Sequence, residues 1–401
     1  MNVAVLGFGV VGSGVCEVLT KNEEQVEKRA GTALNLKYIL DVREFPESPF
    51  AAHFVKDFAH IESDPSVAIV VETMGGVDAA YEFTKRALTA GKSVVTSNKE
   101  LIAAHGCELM RLAQEHGASY LFEASVGGGI PIIRPMSQCL AANEITEICG
   151  ILNGTTNFML TRMIRNGLTF QQALSEAQAK GYAERDPAAD VEGHDSCRKI
   201  CILASLAYGW RIDPSSVPTE GILDVSLADI GYADSYECKI KLLGRAVRMG
   251  DGKICVYVAP HFVKRSDPLA GVEDVFNSIT VSGDAVGDVM FYGRGAGKLP
   301  TASAVVADMI DIARGSTQFK QVLWTEAEEE MAISPALLSS AFYVRMKCSP
   351  DWAKSRFPGA SMLARPGAPT DEVGFVTPVM FEGELREILK DETVYHVLRV
   401  L

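Results

Sequence analysis

Apolar positions in the first third of the chain gather into short, nearly unbroken runs, and longer amphipathic stretches separate them. Residues 3–6, 36–40, 68–71, 93–96 and 119–122 read as strands. Residues 10–29, 78–90 and 99–116 read as helices, the last two ended by Gly91 and Gly117. Strands that are β-branched and almost wholly apolar, alternating with helices, predict a parallel sheet covered on both faces. The texture changes at Gly127-Gly128-Gly129-Ile130-Pro131, where three glycines and a proline mark a hinge or a close backbone approach. Beyond it the pattern predicts helices at 170–181 and 192–208 and strands at 254–259 and 278–281. A second glycine-rich turn, residues 293–300, precedes an apolar helix at 302–313 whose position suggests a return to the first domain. After a charged connector around 326–330, residues 342–346 and 394–400 alternate as strands do, and 382–390 reads as a short helix.

Composition narrows the classes. The chain has 401 residues, too many for one ordinary core, and 47% of them are hydrophobic, enough to fill two or three. A net charge of −13 argues against general binding of nucleic acid or an anionic membrane, because both need a positive field. No uninterrupted apolar run reaches the length of a membrane span, and the start runs straight into a strand rather than a leader peptide. Nine scattered cysteines without a CxxC spacing read as reduced thiols of a cytoplasmic protein. The seven histidines show no HxH or HExxH spacing, and no nucleophile elbow is present.

Five stretches carry candidate chemistry. Gly7-Phe8-Gly9-Val10-Val11-Gly12 follows the first strand and opens a helix. In that context the glycines permit a tight turn and let a pyrophosphate approach backbone N–H groups at the helix start. The fold expected is therefore α/β. A Rossmann-type parallel-sheet nucleotide-binding domain spans 1–130 and is completed by 294–320. An α+β catalytic domain spans 131–293, and a small α+β module spans 340–401. At the end of the second strand, Asp41 suits a ribose 2′-hydroxyl and NAD, whereas Arg43 suits a 2′-phosphate and NADP; both readings stay open. Lys99, in Thr96-Ser97-Asn98-Lys99-Glu100, lies at the strand edge where ligands bind, although a cation there opposes the helix dipole. Glu123 and the glycines after it form either a hinge or a cradle of oxygens for a monovalent cation. The densest polar cluster runs from Gly181 to Lys199. Asp195 and Lys199 stand at i and i+4 on a helix that continues Ile200-Cys201-Ile202-Leu203-Ala204. A lysine on so apolar a helix needs a partner and a reason, and a lysine held near carboxylates can act as a general acid.

These residues resemble the homoserine dehydrogenase family. GFGVVGSGV at Gly7, TSNKEL at Thr96, EASVGGGIPII at Glu123 and GILNGTTNFML at Gly150 run in family order, followed by GYAERDPAADVEGHDSCRKICILA at Gly181 and GRGAGKLPTASAVVADM at Gly293. The resemblance covers roughly residues 1–320. It implies reversible reduction of L-aspartate 4-semialdehyde to L-homoserine with NADPH or NADH, a step towards threonine, methionine and isoleucine. By the resemblance Lys199 is the proton donor and Lys99 assists it. Glu184 binds the substrate amino group, Asp190 and Asp195 support that pocket, and Thr155 touches substrate. Gly7, Phe8, Gly9, Val10, Val11, Gly12, Arg43, Lys99, Gly181 and Gly297 fall to the cofactor. Glu123, with the main-chain oxygens of Val126, Gly128 and Ile130, matches the family's sodium site. A homo-oligomer, dimer or tetramer, is implied, with no nucleic-acid or membrane partner.

Residues 340–401 resemble the ACT-like regulatory module of many family members. Ser349-Pro350-Asp351-Trp352 stands where an Arg-Pro-Gly helix start is usual, and Arg365-Pro366-Gly367 comes later, out of place. Threonine feedback is therefore not expected from this module, and a role in subunit contacts is. Two other readings remain at this stage: a related oxidoreductase for another amino or hydroxy acid, and a non-catalytic dinucleotide sensor. The helix carrying Lys199 separates them, since a sensor has no use for that lysine or its acidic loop.

Overall fold

In a computed structural model every residue is described except 251, 316–321 and 327–331. Most of the expected connector at 326–330, and the end of the 294–320 segment, lie outside the described residues. The chain forms two compact units. One comprises Met1–Asn143, Cys201–Pro214 and Gly293–Glu328; the other comprises Glu144–Ile200, Ser215–Tyr292 and Glu329–Leu401. No described helix is long and apolar enough to cross a membrane.

The first unit is built on six parallel strands: β1 (Asn2–Leu6), β2 (Asn35–Leu40), β3 (Phe54–Val55), β4 (Val67–Glu72), β5 (Ser93–Thr96) and β6 (Tyr120–Leu121). Their order is β3-β2-β1-β4-β5-β6, the doubly wound order whose switch point falls between β1 and β4. Val3, Val5, Ile69 and Val71 share one core with residues of the helices Val10–Lys21 and Lys298–Ala313. The helix expected at 10–29 is broken. It stops at Lys21 and restarts at Glu23, because Asn22 (φ −113°, ψ 25°) leaves the helical region and lets Glu23 and Glu24 open a new N-terminus.

The second unit carries β7 (Ile145–Ile151), β8 (Cys238–Arg248), β9 (Ile254–Lys264), β10 (Phe276–Gly283), β11 (Gly287–Arg294), β12 (Ala332–Ile333), β13 (Ser339–Lys347), β14 (Ser361–Leu363), β15 (Glu372–Val376), β16 (Met380–Phe381) and β17 (Val394–Val400). They form one mixed sheet ordered β11-β10-β7-β8-β9-β17-β13-β15-β14, with β12 on β9 and β16 on β13. The segment after residue 340 thus continues this sheet: β17 lies parallel to β9 and antiparallel to β13. Its own core gathers Phe342, Val344, Phe357, Phe375 and Leu385. Buried Asp229 ties it down by accepting from Tyr343 Oη (3.0 Å) and Arg345 Nε (2.9 Å). Ser349 caps the helix Pro350–Arg356 through the Trp352 N–H, which accounts for the Ser-Pro-Asp-Trp sequence as a local helix start.

Candidate active site

The Gly7 turn is shaped by what its residues lack. Gly7 sits at φ +88°, and a Cβ on Gly12 would lie 1.9 Å from the Gly7 carbonyl oxygen. Gly14, a turn further on, lets the first helix lie against Lys298 and Ala302 of the returning helix. The helix Val10–Lys21 has no side-chain cap and no acidic residue in its first turn. Around Gly9 a side chain would meet nothing within 4 Å, and Val10 is 66% exposed. An uncapped helix start beside open space fits a dinucleotide pyrophosphate, which would accept the orphan N–H groups.

Asp41, at the end of β2, is fully occupied. Its Oδ1 accepts from the Arg43 N–H (2.9 Å) and Nε (3.0 Å), and its Oδ2 from the Phe8 N–H (2.7 Å) and Arg43 Nη2 (2.8 Å). The Arg43 hydrogen bonds hold this carboxyl well below its ordinary range. Four accepted bonds fill a carboxylate, so a ribose hydroxyl donates to Asp41 only by displacing Arg43. The guanidinium lies over Phe45, 5.1 Å from the ring centroid, in a cluster with Phe8, Phe50 and Phe54.

Lys99 opens the helix Lys99–Glu115, one residue after an Asn98 cap that accepts the Leu101 N–H. Asn98 also donates to Gly76 O (2.7 Å), and its N–H donates to Thr96 Oγ1. Thr96 in turn donates to Glu72 (2.5 Å), which also accepts the Met74 N–H. Glu72 is wholly buried at the end of β4, and burial pushes its carboxyl up to about 7.

Glu123 is also buried. Its carboxylate accepts the N–H groups of Ile132 (2.6 Å), Ile133 (2.9 Å) and Arg134 (2.7 Å), while its own N–H donates to Asp308. Arg134 binds Asp308 at 2.7 Å and Asp311 at 2.7 Å, and burial raises the Asp308 carboxyl. Three amides account for the Glu123 charge without a metal and leave one lone pair for a cation. Gly128 passes so close to Gly295 that a Cβ would stand 2.5 Å from its carbonyl oxygen. Among the described residues no cluster of three or more His, Cys, Asp or Glu is placed to hold a metal ion. Gly297, at φ +121°, precedes the helix Lys298–Ala313.

The polar cluster of the second unit converges on Lys199. The helix expected from 192 begins at His194, because Gly193 takes φ +88° after the short helix Ala188–Val191. Lys199 is 9% exposed and Asp195 8%. Lys199 Nζ donates to Asp195 Oδ2 (2.6 Å) and to the Leu152 carbonyl (2.9 Å), leaving its third hydrogen without a partner among the described residues. Asn153 donates from one amide nitrogen to Asp190 Oδ1 (2.7 Å) and Asp195 Oδ2 (2.9 Å). Burial raises the Asp190 carboxyl, with the Asp195 charge adding to the shift. Thr155, close to Asp190, donates to Tyr182 O.

The structure therefore brings together Lys199, Asp195, Asp190 and Thr155. It leaves Glu184 on an exposed loop, its carboxylate making no hydrogen bond to the cluster among the described residues; Gly181 stands on the same loop at φ +72°. Lys99 and Lys199 belong to different units. Sequence reasoning passed over Asn153 and Glu72. The signal for Asn153 was an Asn just before a helix-opening Gly-Thr-Thr, and for Glu72 an acid closing an apolar strand at the ligand edge.

Comparison with known proteins gives the family. The family model for homoserine dehydrogenase matches residues 131–310, and that for the homoserine dehydrogenase NAD binding domain matches residues 7–123. The homoserine dehydrogenase of Pseudomonas aeruginosa is 40% identical over 359 residues, 86% of this chain and 82% of its own. The chain belongs to the homoserine dehydrogenase family. It is an NAD(P)-dependent oxidoreductase of that family. The crystal structure of a homoserine dehydrogenase from Thiobacillus denitrificans superposes with a TM-score of 0.90 at 34% identity, covering 100% of this chain and 98% of that one. A hyperthermophilic archaeal homoserine dehydrogenase in complex with NADPH matches with a TM-score of 0.66 at 30% identity, covering 77% and 96%.

Proposed function

We propose that the chain interconverts L-aspartate 4-semialdehyde and L-homoserine, on the way to threonine, methionine and isoleucine, with Lys199 as the proton donor. The observation that carries this reading is the buried Lys199 ammonium, two of its hydrogens fixed and the third without a partner among the described residues. Bound NAD(P) supplies the hydride donor or acceptor. As negative charge grows on the aldehyde oxygen, Lys199 stabilises it and hands over its third hydrogen; in the reverse direction neutral Lys199 takes the hydroxyl proton. Asp195 pairs with the lysine and aims it. Asp190, Glu184 and Thr155 hold the amino-acid end of the substrate, whose ammonium favours carboxylates, and Lys99 assists Lys199.

For the cofactor we favour NADP, because Asp41 is saturated while the Arg43 guanidinium keeps unused donors for a 2′-phosphate. Gly7, Phe8, Gly9, Val10, Val11 and Gly12 receive its pyrophosphate, and Gly181 and Gly297 are cofactor residues by family resemblance. By the family resemblance, the Val126, Gly128 and Ile130 carbonyls beside Glu123 would hold a sodium ion, which would have no part in the proton transfer. Exposed Val286 just before β11, and Met290 and Tyr292 on it, support a homo-oligomeric form, and nine free cysteines support a cytoplasmic setting. One experiment tests the core of this reading: homoserine oxidation by the purified protein with NADP and NAD in parallel, with and without sodium and threonine. Activity with NADP above NAD is expected; absence of any homoserine-dependent reduction sinks the reading.

A further inference from the structure

Asn153 makes every hydrogen bond that its side chain can make. Its Oδ1 accepts the Thr156 N–H (2.8 Å) and the Thr156 hydroxyl (3.0 Å), capping the helix Gly154–Asn166. Its Nδ2 gives one hydrogen to Asp190 and the other to Asp195. Only one orientation of the amide satisfies all four bonds. Reversed, its oxygen would face two carboxylates and its NH2 would face an N–H. The residue is 5% exposed, so no water replaces a lost bond cheaply.

We propose that Asn153 is a positioning residue that fixes the Asp195 carboxylate, and through it the direction of the free Lys199 hydrogen; this rests on the reading of Lys199 as proton donor. The Asp195 Oδ2 atom is the junction, since it accepts from both Asn153 (2.9 Å) and Lys199 (2.6 Å). Asp190, half-buried, and Asp195, buried, are like charges and repel each other. A neutral donor between them lets both stay where they are without taking the lysine's hydrogens for that purpose. Without the bridge Asp195 is free to turn toward whichever donors remain, and Lys199 follows it. The helix cap and the bridge come from opposite ends of one amide, so a cap-retaining substitution separates them.

Asn153→Ser keeps an oxygen for the Thr156 N–H but cannot reach both carboxylates. Asn153→Asp keeps shape and cap but replaces the donor with a third carboxylate. For Asn153→Ser, kcat for homoserine oxidation is expected to fall about 10- to 100-fold, the scale on which a displaced catalytic group loses rate, with KM for NADP and the melting temperature near wild type. In a Lys199→Ala background the same substitution is expected to cost nothing further, because the group it positions is gone. For Asn153→Asp, the added negative charge holds the Lys199 proton more tightly, so the rise of oxidation rate with pH moves to higher pH. A kcat within about twofold of wild type in Asn153→Ser, or an equal loss with and without Lys199, overturns the proposal. Should Asn153→Ser fail to fold, an unmoved pH profile in Asn153→Asp overturns it instead. Lys199→Ala, measured alongside, keeps the two readings apart. Full turnover there removes the proton-donor reading itself, whereas loss there with a near-normal Asn153→Ser removes only the role of Asn153.

Discussion

Two regions of this chain are shaped for charged ligands, and they are made of opposite materials. At Gly7–Gly12 side chains are missing: the helix start is uncapped, no acid lies in its first turn, and a methyl group at residue 12 has no room. Around Lys199 side chains crowd in, and two carboxylates, an amide and an ammonium bond one another in a largely buried site. A backbone cradle holds an anion by geometry and needs no titrating group. A side-chain cluster holds a proton at a defined atom and depends on every member. The first region therefore suits binding, and the second suits a proton transfer.

Substitutions break this contrast in predictable order. Asp195→Ala should be the most damaging, because it removes the carboxylate paired with the buried Lys199 ammonium; a loss of about 3 kcal/mol by denaturant unfolding is expected. Adding Lys199→Met should restore much of that stability while leaving the enzyme inactive, which separates folding from chemistry. Lys199→Ala alone should cut turnover at least ~100-fold with NADP still bound, as followed by cofactor fluorescence. Gly12→Ala should do the reverse: cofactor KM rises about tenfold while the pH dependence of kcat stays put, since the close approach to Gly7 is lost and the Lys199 cluster is untouched. Arg43→Ala should move the NADP-over-NAD preference by about tenfold, read as the ratio of kcat/KM values.

The smallest effect is expected at Glu72. Its folded carboxyl is raised to about 7 from an ordinary 4.5, so its contribution to stability is fully present below about 4.5 and is lost as pH rises through about 7. Glu72→Gln should accordingly melt a few degrees above wild type at pH 8 and close to wild type at pH 4.5. Equal differences at both pH values would show that the buried group does not titrate in this range.

Local patterns announced the nucleotide half. A glycine turn between a strand and a helix is a contiguous signal, and so is Asp195-to-Lys199 spacing on one helix face. What escaped was non-local. Asn153 meets Asp190 and Asp195 across 37 and 42 residues, and Glu72 meets Thr96 across 24. No single stretch of sequence records such pairings, because hydrogen-bond partners are chosen by the fold. The break at Asn22 escaped for a different reason: a helix pattern of good period hides one residue whose backbone prefers to leave it. The sheet also outran its pattern. Strand-like alternation marked residues 394–400, yet nothing local says that they pair with residues 261–262.

That pairing bears on how the protein is made. On the side away from β8, residues 261–262 of β9 pair with Arg399 and Val400, and Phe262 stacks on Tyr343, 4.3 Å between ring centroids. A ribosome adding ~5–20 residues each second therefore leaves this strand edge open for on the order of ten seconds after β9 has been synthesised. During that interval the half of the enzyme that carries Lys199 has an unpaired, apolar edge available to other chains. A chain cut shortly before residue 394 would keep it open permanently, so loss of so short a segment should bring aggregation rather than a trimmed, working enzyme.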